Sequence, residues 1–271
     1  MRLLPLLLLT TLQATLQQSP ETAMIRNPGL NSTDGCGIMR DVDGNELHAH
    51  GGQIIKDGGL YYLVGTTRKE PPSWLSEGIN MYSSTDLQHW KLENMIFRNS
   101  SITIATGPYR IERPKVLYNA KTSLYVMWFH LDNAAFDYKM VGVATSKTID
   151  GDYQFYSGFQ PDGQASFDMG LFQEDDGTAW LVRSVDNKAA GFSKLTDDYL
   201  NTTRDGIISS APSCEGQAAW RTGDHYFLIC SHLTGWSANG LLFFQTNAPL
   251  GSSKWNILDD PSDGSKTVVT K

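Results

Sequence analysis

Three acidic residues occupy similar settings in distant parts of the chain: Glu112 in IERPKVLYN, Asp168 in FDMGLF and Glu215 in CEGQAAW. Carboxyl groups brought together can divide labour, one held protonated as an acid while others stay ionised and grip hydroxyl groups. Glu215 suits the first role. The small and aromatic residues after it, GQAAW, would hold the carboxyl against apolar surface, and desolvation raises a carboxyl pKa. Asp168, between Phe167 and Met169 at a strand start, could tune that acid and hold a sugar hydroxyl, and Glu112 could grip ring hydroxyls. Plainer readings exist for each: a loop glutamate after Pro212, an Asx-turn residue, and a local ion pair with Arg113 or Lys115.

A repeated element must bring these three together. A short turn followed by an aromatic-rich strand occurs four times, as DGGLYYLVGT (57–66), AKTSLYVMWFH (120–130), DDGTAWLVRS (175–184) and TGDHYFLICS (222–231). The copies start roughly 63, 55 and 47 residues apart, the scale of a four-stranded propeller blade. Ahead of them lie more apolar segments expected as inner strands, at 48–56, 113–119, 169–174 and 216–221, and three of these begin beside a carboxylate. Behind them come segments that begin as strands and break at Ser, Thr, Asp or Gly, at 79–90, 141–153, 191–200 and 241–255. Residues 71–78 and 97–110 read as longer loops. Helical periodicity is not sustained anywhere after the N-terminal stretch, so the fold class is all-β, with one domain over residues 19–271. A propeller closes by pairing its last blade with its first, so four units mean either a four-bladed ring or a five-bladed type whose fifth blade is missing or incomplete.

Other residues with chemical potential are fewer. His48 and His50 alternate on HAHGGQ and would share a strand face; no spacing supplies a third metal ligand, so sugar hydrogen bonding by His50 or core packing is expected and no metal or cofactor is. In SHLTGW, Trp236 follows a polar turn and could stack on a pyranose or simply pack at the rim. Cys214 and Cys230 flank one expected hairpin and are candidates to pair, although simple hairpin register does not oppose them; Cys36 is expected free or buried.

The bulk properties bound the partners. With 40% hydrophobic residues among 271 the chain can build a core, and a net charge of -7 supplies no basic field for nucleic acid or an anionic membrane. A neutral ligand fits better. Met-Arg followed by LLPLLLLTTLQATLQ reads as a cleaved secretory signal over residues 1–18, a membrane anchor being the alternative. Sequons at Asn31, Asn99 and Asn201 agree with a secreted glycoprotein that, once the signal is removed, has no membrane association and acts as a monomer.

The segments AHGGQIIKDGGLYYLVGT, YSSTDLQHW, ERPKVLYNAKTSLYVMWFH, VGVATS, SFDMGLFQEDDGTAWLVRS, LTDDYL, EGQAAW and SHLTGW run in order from about 43 to 255. In them the chain resembles glycoside hydrolase family 43, in its branch of exo-β-1,3-galactanases. That resemblance implies a five-bladed β-propeller and inverting hydrolysis of β-1,3-galactan or arabinogalactan, with release of terminal galactose. By motif it assigns Glu215 as general acid, Asp168 as the residue orienting sugar and tuning the acid, and Glu112 as a carboxylate holding the terminal galactose. His50, Asn187, Thr234 and Trp236 match pocket-lining positions. Where relatives commonly have Tyr after an HLD-type turn this chain has Phe136, with Tyr138 two residues on as the candidate contact. Inversion also needs a group to activate water. The Asp that most of the family places in an Ala-Asp-Pro context is replaced by Ala49-His50-Gly51, as in the galactanase branch, where a Gln on the fifth blade takes the role; KWNILDDPSDGSKTVVTK contains none. A sugar-binding pseudoenzyme and a hydrolase of arabinan or xylan are the alternatives.

Overall fold

The computed structural model describes residues 38–67, 75–104, 107–212, 214–235, 237, 239–250 and 254–259. The expected signal segment, Asn31, Cys36 and Trp236 lie outside these residues. Sixteen strands form four antiparallel sheets, each from four strands consecutive in the chain. The first blade holds β1 (His50–Asp57), β2 (Leu60–Thr66), β3 (Gly78–Ser84) and β4 (Lys91–Arg98). The second holds β5 (Tyr109–Asn119), β6 (Leu124–Asn133), β7 (Met140–Ser146) and β8 (Gln154–Phe159). The third holds β9 (Ser166–Gln173), β10 (Ala179–Val185), β11 (Ala189–Lys194) and β12 (Ile207–Pro212). The fourth holds β13 (Glu215–Thr222), β14 (His225–Ser231), β15 (Leu241–Thr246) and β16 (Asn256–Asp259).

The aromatic repeat forms the second strand of every blade, where alternation decides the packing. On β6, Met127, Phe129 and Leu131 point into a core shared with Val64, Ile79 and Met81 of the first blade. The intervening Val126 and Trp128 point into a second core with Met169 and Leu181 of the third. One residue further along its strand, Val182 joins Leu228 and Phe244 of the fourth blade in a third core. A blade with a neighbour on each side therefore must be apolar on both faces, which explains the near-continuous hydrophobic run LYVMWFHL. The tight ends follow local chemistry: Asp57 pairs with Leu60 across Gly58 and Gly59, whose φ values of 54° and 87° suit a two-residue hairpin.

Three expectations are refined. Each blade has a fourth, outer strand that the sequence pattern did not separate from loop, because a strand exposed on its outer edge carries weaker alternation. The stretch 97–110 is a loop only in its middle, since β4 runs to Arg98 and β5 begins at Tyr109. Cys214 and Cys230 are bonded, with Cα atoms 5.6 Å apart. The ladder between β13 and β14 shifts register between Glu215 and Ala218, so regular hairpin pairing was the wrong template.

Successive inner strands pack side by side, β1 on β5, β5 on β9 and β9 on β13. Among the described residues the outward face of the fourth blade is partly open. On the fourth, Trp220, Phe227 and Phe243 stack across three strands with centroids 5.2 to 5.8 Å apart, and Trp220 is 37% exposed. Among the described residues no helix is long and apolar enough to cross a membrane.

Candidate active site

Because neighbouring strands alternate in direction, the starts of the four inner strands share one face with the described residues of the connections that follow each second strand, 67 and 75–77, 134–139, 186–188 and 232–235. Every inner strand bulges at this end. Two of its residues oppose one on the second strand: Gly51 and Gly52, Arg113 and Pro114, Phe167 and Asp168, Gly216 and Gln217. A bulge re-aims the side chains beside it, and these four flank or contain His50, Glu112, Asp168 and Glu215. Irregularity in the ladder is thus what turns three acids on three blades toward one centre.

At that centre the acids have different partners. Glu112 Oε1 lies 3.5 Å from Arg110 Nη1 and Oε2 lies 3.5 Å from His130 Nδ1. His130 is 1% exposed, and its Nε2 lies 3.3 Å from Oδ2 of the equally buried Asp132. At 3.5 Å the Glu112–His130 contact is an ion pair more than a directed hydrogen bond, which agrees with Nδ1 having no well-formed partner. Burial favours neutral forms at both groups, yet their mutual attraction wins. Against that burial, His130 first and then Arg110 and His50 hold the Glu112 carboxyl down at about 2. Burial likewise opposes a charged His130, but Asp132 and Glu112 lift the imidazole to about 9. Asp168 is paired differently: its Oδ2 accepts from the Gly216 N–H at 3.0 Å and lies 2.8 Å from Arg113 Nη2. That amide belongs to the residue after Glu215, so the second and third acids are joined through backbone.

A family model for glycosyl hydrolases family 43 matches residues 47–256, from just ahead of β1 into β16. The chain belongs to that family. Family 43 also supplies solved structures of the same shape. One is a β-1,3-galactosidase with galactodeoxynojirimycin, 31% identical with a TM-score of 0.74, covering 83% of this chain and 79% of its own. An exo-β-1,3-galactanase from Phanerochaete chrysosporium with β-1,3-galactotriose is 32% identical at a TM-score of 0.74, covering 82% of this chain. An exo-β-1,3-galactanase from Clostridium thermocellum is 30% identical at 0.71, covering 81%. The chain spans 52% and 50% of the length of these last two. The family 43 neighbours are five-bladed propellers, and the described residues here form four blades. No curated protein is matched.

The expected pocket residues of this family 43 chain all fall on the bulged face where described, but not all with free-standing side chains. His50 opens β1, its carbonyl accepting from Thr66 Oγ1 at 3.2 Å. Asn187 sits in the β10–β11 turn at φ 52°, its Oδ1 accepting from Ser184 Oγ at 3.0 Å. Thr234 donates to the Ser237 carbonyl at 2.7 Å and is also bonded to Asn239, so its hydroxyl serves its own loop. The Tyr138 ring packs toward Tyr109, 6.5 Å between centroids, in the core between the first two blades. Phe136, by contrast, stacks on His130 at 6.3 Å and carries Arg110 over its ring at 4.3 Å. A phenylalanine there braces the two cations that hold Glu112.

Sequence reasoning passed over His130, Asp132 and Arg110 as site residues and took Arg113 only as a local partner of Glu112. A signal for the first two exists: WFHLDN places His and Asp two apart on an otherwise apolar strand, hence on one face and in need of partners. Glu112, His130 and Asp168 also present ligand atoms within 4.8 Å of one another. With Arg110 and Arg113 already against those carboxylates and a proton held on His130, the cluster suits neutral hydroxyl groups better than a cation.

Proposed function

We propose that this family 43 glycosidase is secreted and acts as a monomeric exo-enzyme on β-1,3-galactan or arabinogalactan, releasing terminal galactose with inversion. The observation that carries the reading is the convergence of Glu112, Asp168 and Glu215 at the bulged ends of three inner strands, with Asp168 bonded to the amide following Glu215. Glu215 protonates the departing glycosidic oxygen. Asp168 holds a hydroxyl of the terminal sugar and, as a neighbouring negative charge, favours the protonated acid. Glu112, ionised at every physiological pH, accepts hydrogen bonds from ring hydroxyls and so orients the sugar for attack by water from the opposite side, the water's proton passing to a base other than these three acids. The choice of β-1,3-galactan rests on the galactosidase and galactanases to which the chain is similar.

Secretion would bring the sequons into play, and the two described ones differ. The Asn99 amide donates to the carbonyls of Ser76 at 2.9 Å and Tyr109 at 2.6 Å, tying the β4–β5 connection, whereas Asn201 lies exposed on the third blade. A glycan is expected at Asn201 and not at Asn99. The deciding assay is galactose release from β-1,3-galactotriose by the chain and by Glu215→Gln. Release by the first and not the second supports the assignment. Binding of galactotriose without release would establish the pseudoenzyme reading, and activity on arabinan or xylan alone would overturn the substrate.

A further inference from the structure

In two of the other three bulges the residue after the site residue is a glycine with positive φ, Gly51 at 61° and Gly216 at 64°. In the second blade the same place holds Arg113 at φ 56°, a backbone conformation that L-residues seldom adopt. Its side chain explains the retention. Arg113 reaches from β5 across the centre to Asp168 on β9, its guanidinium 2.8 Å from the carboxylate. Gly51 makes room for it, and Gly216 lies beside it at ordinary contact distance. A methyl at position 51 would lie 2.9 Å from Cδ of Arg113 and 3.3 Å from its Cα, and one at position 216 would lie 3.6 Å from Nη1. Arg113 therefore pairs with the bulge of the third blade and lies beside those of the first and fourth, and Lys115, two residues on, donates to the Gly51 carbonyl at 2.8 Å.

We infer that Arg113 is the positioning residue of the acid site: it fixes Asp168 against the Glu215–Gly216 bulge and supplies the positive charge that sets how readily Glu215 gives up its proton. The inference deepens the function proposed above and rests on it for the role of Glu215. The charges around Arg113 are Asp168 from β9, Glu215 from β13, and Glu112 and Lys115 from its own strand, with His50 of β1 and His130 of β6 acting on Glu112. Burial works against a charged Arg113, but Asp168, Glu112 and Glu215 together hold its proton more tightly than usual. The converse follows from reciprocity: a fixed cation favours the carboxylate form of its neighbours. Asp168 raises the affinity of Glu215 for a proton and Arg113 lowers it, so the acid sits between two opposed charges.

Removing the cation should raise the pKa of Glu215 by about one unit, within the range expected for an opposite charge a few ångströms away. The measurement is a carbon-13 NMR titration of the chain with labelled glutamate carboxyls, the Glu215 resonance being assigned by its loss in Glu215→Gln. In Arg113→Met the Glu215 titration should move to higher pH, and in Arg113→Lys, which keeps charge without the planar fork, it should stay near its original position. The alkaline limb of the galactose-release profile should follow the same order, with kcat falling about tenfold or more in both variants as Asp168 loses its brace. An unmoved Glu215 titration in Arg113→Met overturns the inference, as does an equal movement in Arg113→Lys. Should Arg113→Met not fold, Gly51→Ala displaces the arginine without deleting any charge, and the same upward movement is expected; its absence is equally fatal. If Glu215→Gln remains fully active, the acid assignment fails while the titration still decides the role of Arg113.

Discussion

Glu112 and Glu215 hold equivalent places, each at the bulge of an inner strand, yet the second and fourth blades treat them differently. Around Glu112 the side chains do the holding: Arg110 on one oxygen, His130 on the other, and Asp132 and Phe136 behind them. Its blade is buried on both faces between two cores. Around Glu215 the neighbouring backbone is held as well. Cys214 is bonded to Cys230, and the Gly216 amide is bonded to Asp168, in a blade whose outward aromatic face is partly open. A carboxylate that must stay ionised can be surrounded by fixed cations. An acid that must give and regain a proton needs its position fixed by other means, with charges of both signs nearby.

Substitution at Glu215, the proposed acid, should expose the contrast most strongly. Glu215→Gln is expected to lower kcat by about 1,000-fold, since a general acid contributes on that scale, with little change in KM; Glu112→Gln should instead raise KM markedly. Steady-state kinetics on galactotriose measures both, and a mainly KM effect at Glu215 would erase the distinction between the two acids. Next in size is the backbone clamp. Cys214→Ser opens a link spanning 16 residues and should cost about 3 kcal/mol in chemical denaturation, against an almost unchanged Glu112 environment. Equal destabilisation of wild type and variant by reductant would count against it.

The charge network of the second blade should show itself in pH dependence. Since Glu112 titrates at about 2 when folded and in the ordinary carboxylate range when unfolded, its contribution is present above that range and is lost as pH falls toward 2. His130 has the opposite sign: raised to about 9, it stabilises fully below its ordinary range and the benefit is lost as pH rises through 9. His130→Asn should therefore flatten the alkaline decline of the thermal midpoint, whereas the same slope in the variant would place that decline elsewhere. The smallest effect is expected at the open face of the fourth blade. Trp220→Thr removes two stacked ring contacts and should cost about 1 kcal/mol in chemical denaturation, and an unchanged midpoint would show that the stack holds nothing.

Much of this was legible in the chain. The aromatic repeat marks the second strand of each blade because a strand packed on two neighbours must be apolar on both faces, and the acids stand ahead of it because inner strands open at the functional face. Less visible were residues whose meaning depends on distant partners. Nothing local separates Arg113 from an ordinary neighbour of Glu112, and a local ion pair between them was the simple reading; the bulge sends the two side chains to different blades. Phe136 likewise looked like a lost tyrosine, when its ring braces Arg110 and His130.

The sequence by itself determined the all-β blade architecture and the family, and it singled out three acids as candidates, because periodicity, turn residues and motif spacing are local properties that survive in one dimension. Which acid is caged by cations, which is clamped by a disulfide, and which arginine spans the centre were decided only in the tertiary structure. Charge interactions fall off with distance in space, and the residues concerned are separated by tens of positions along the chain but by a few ångströms at the axis.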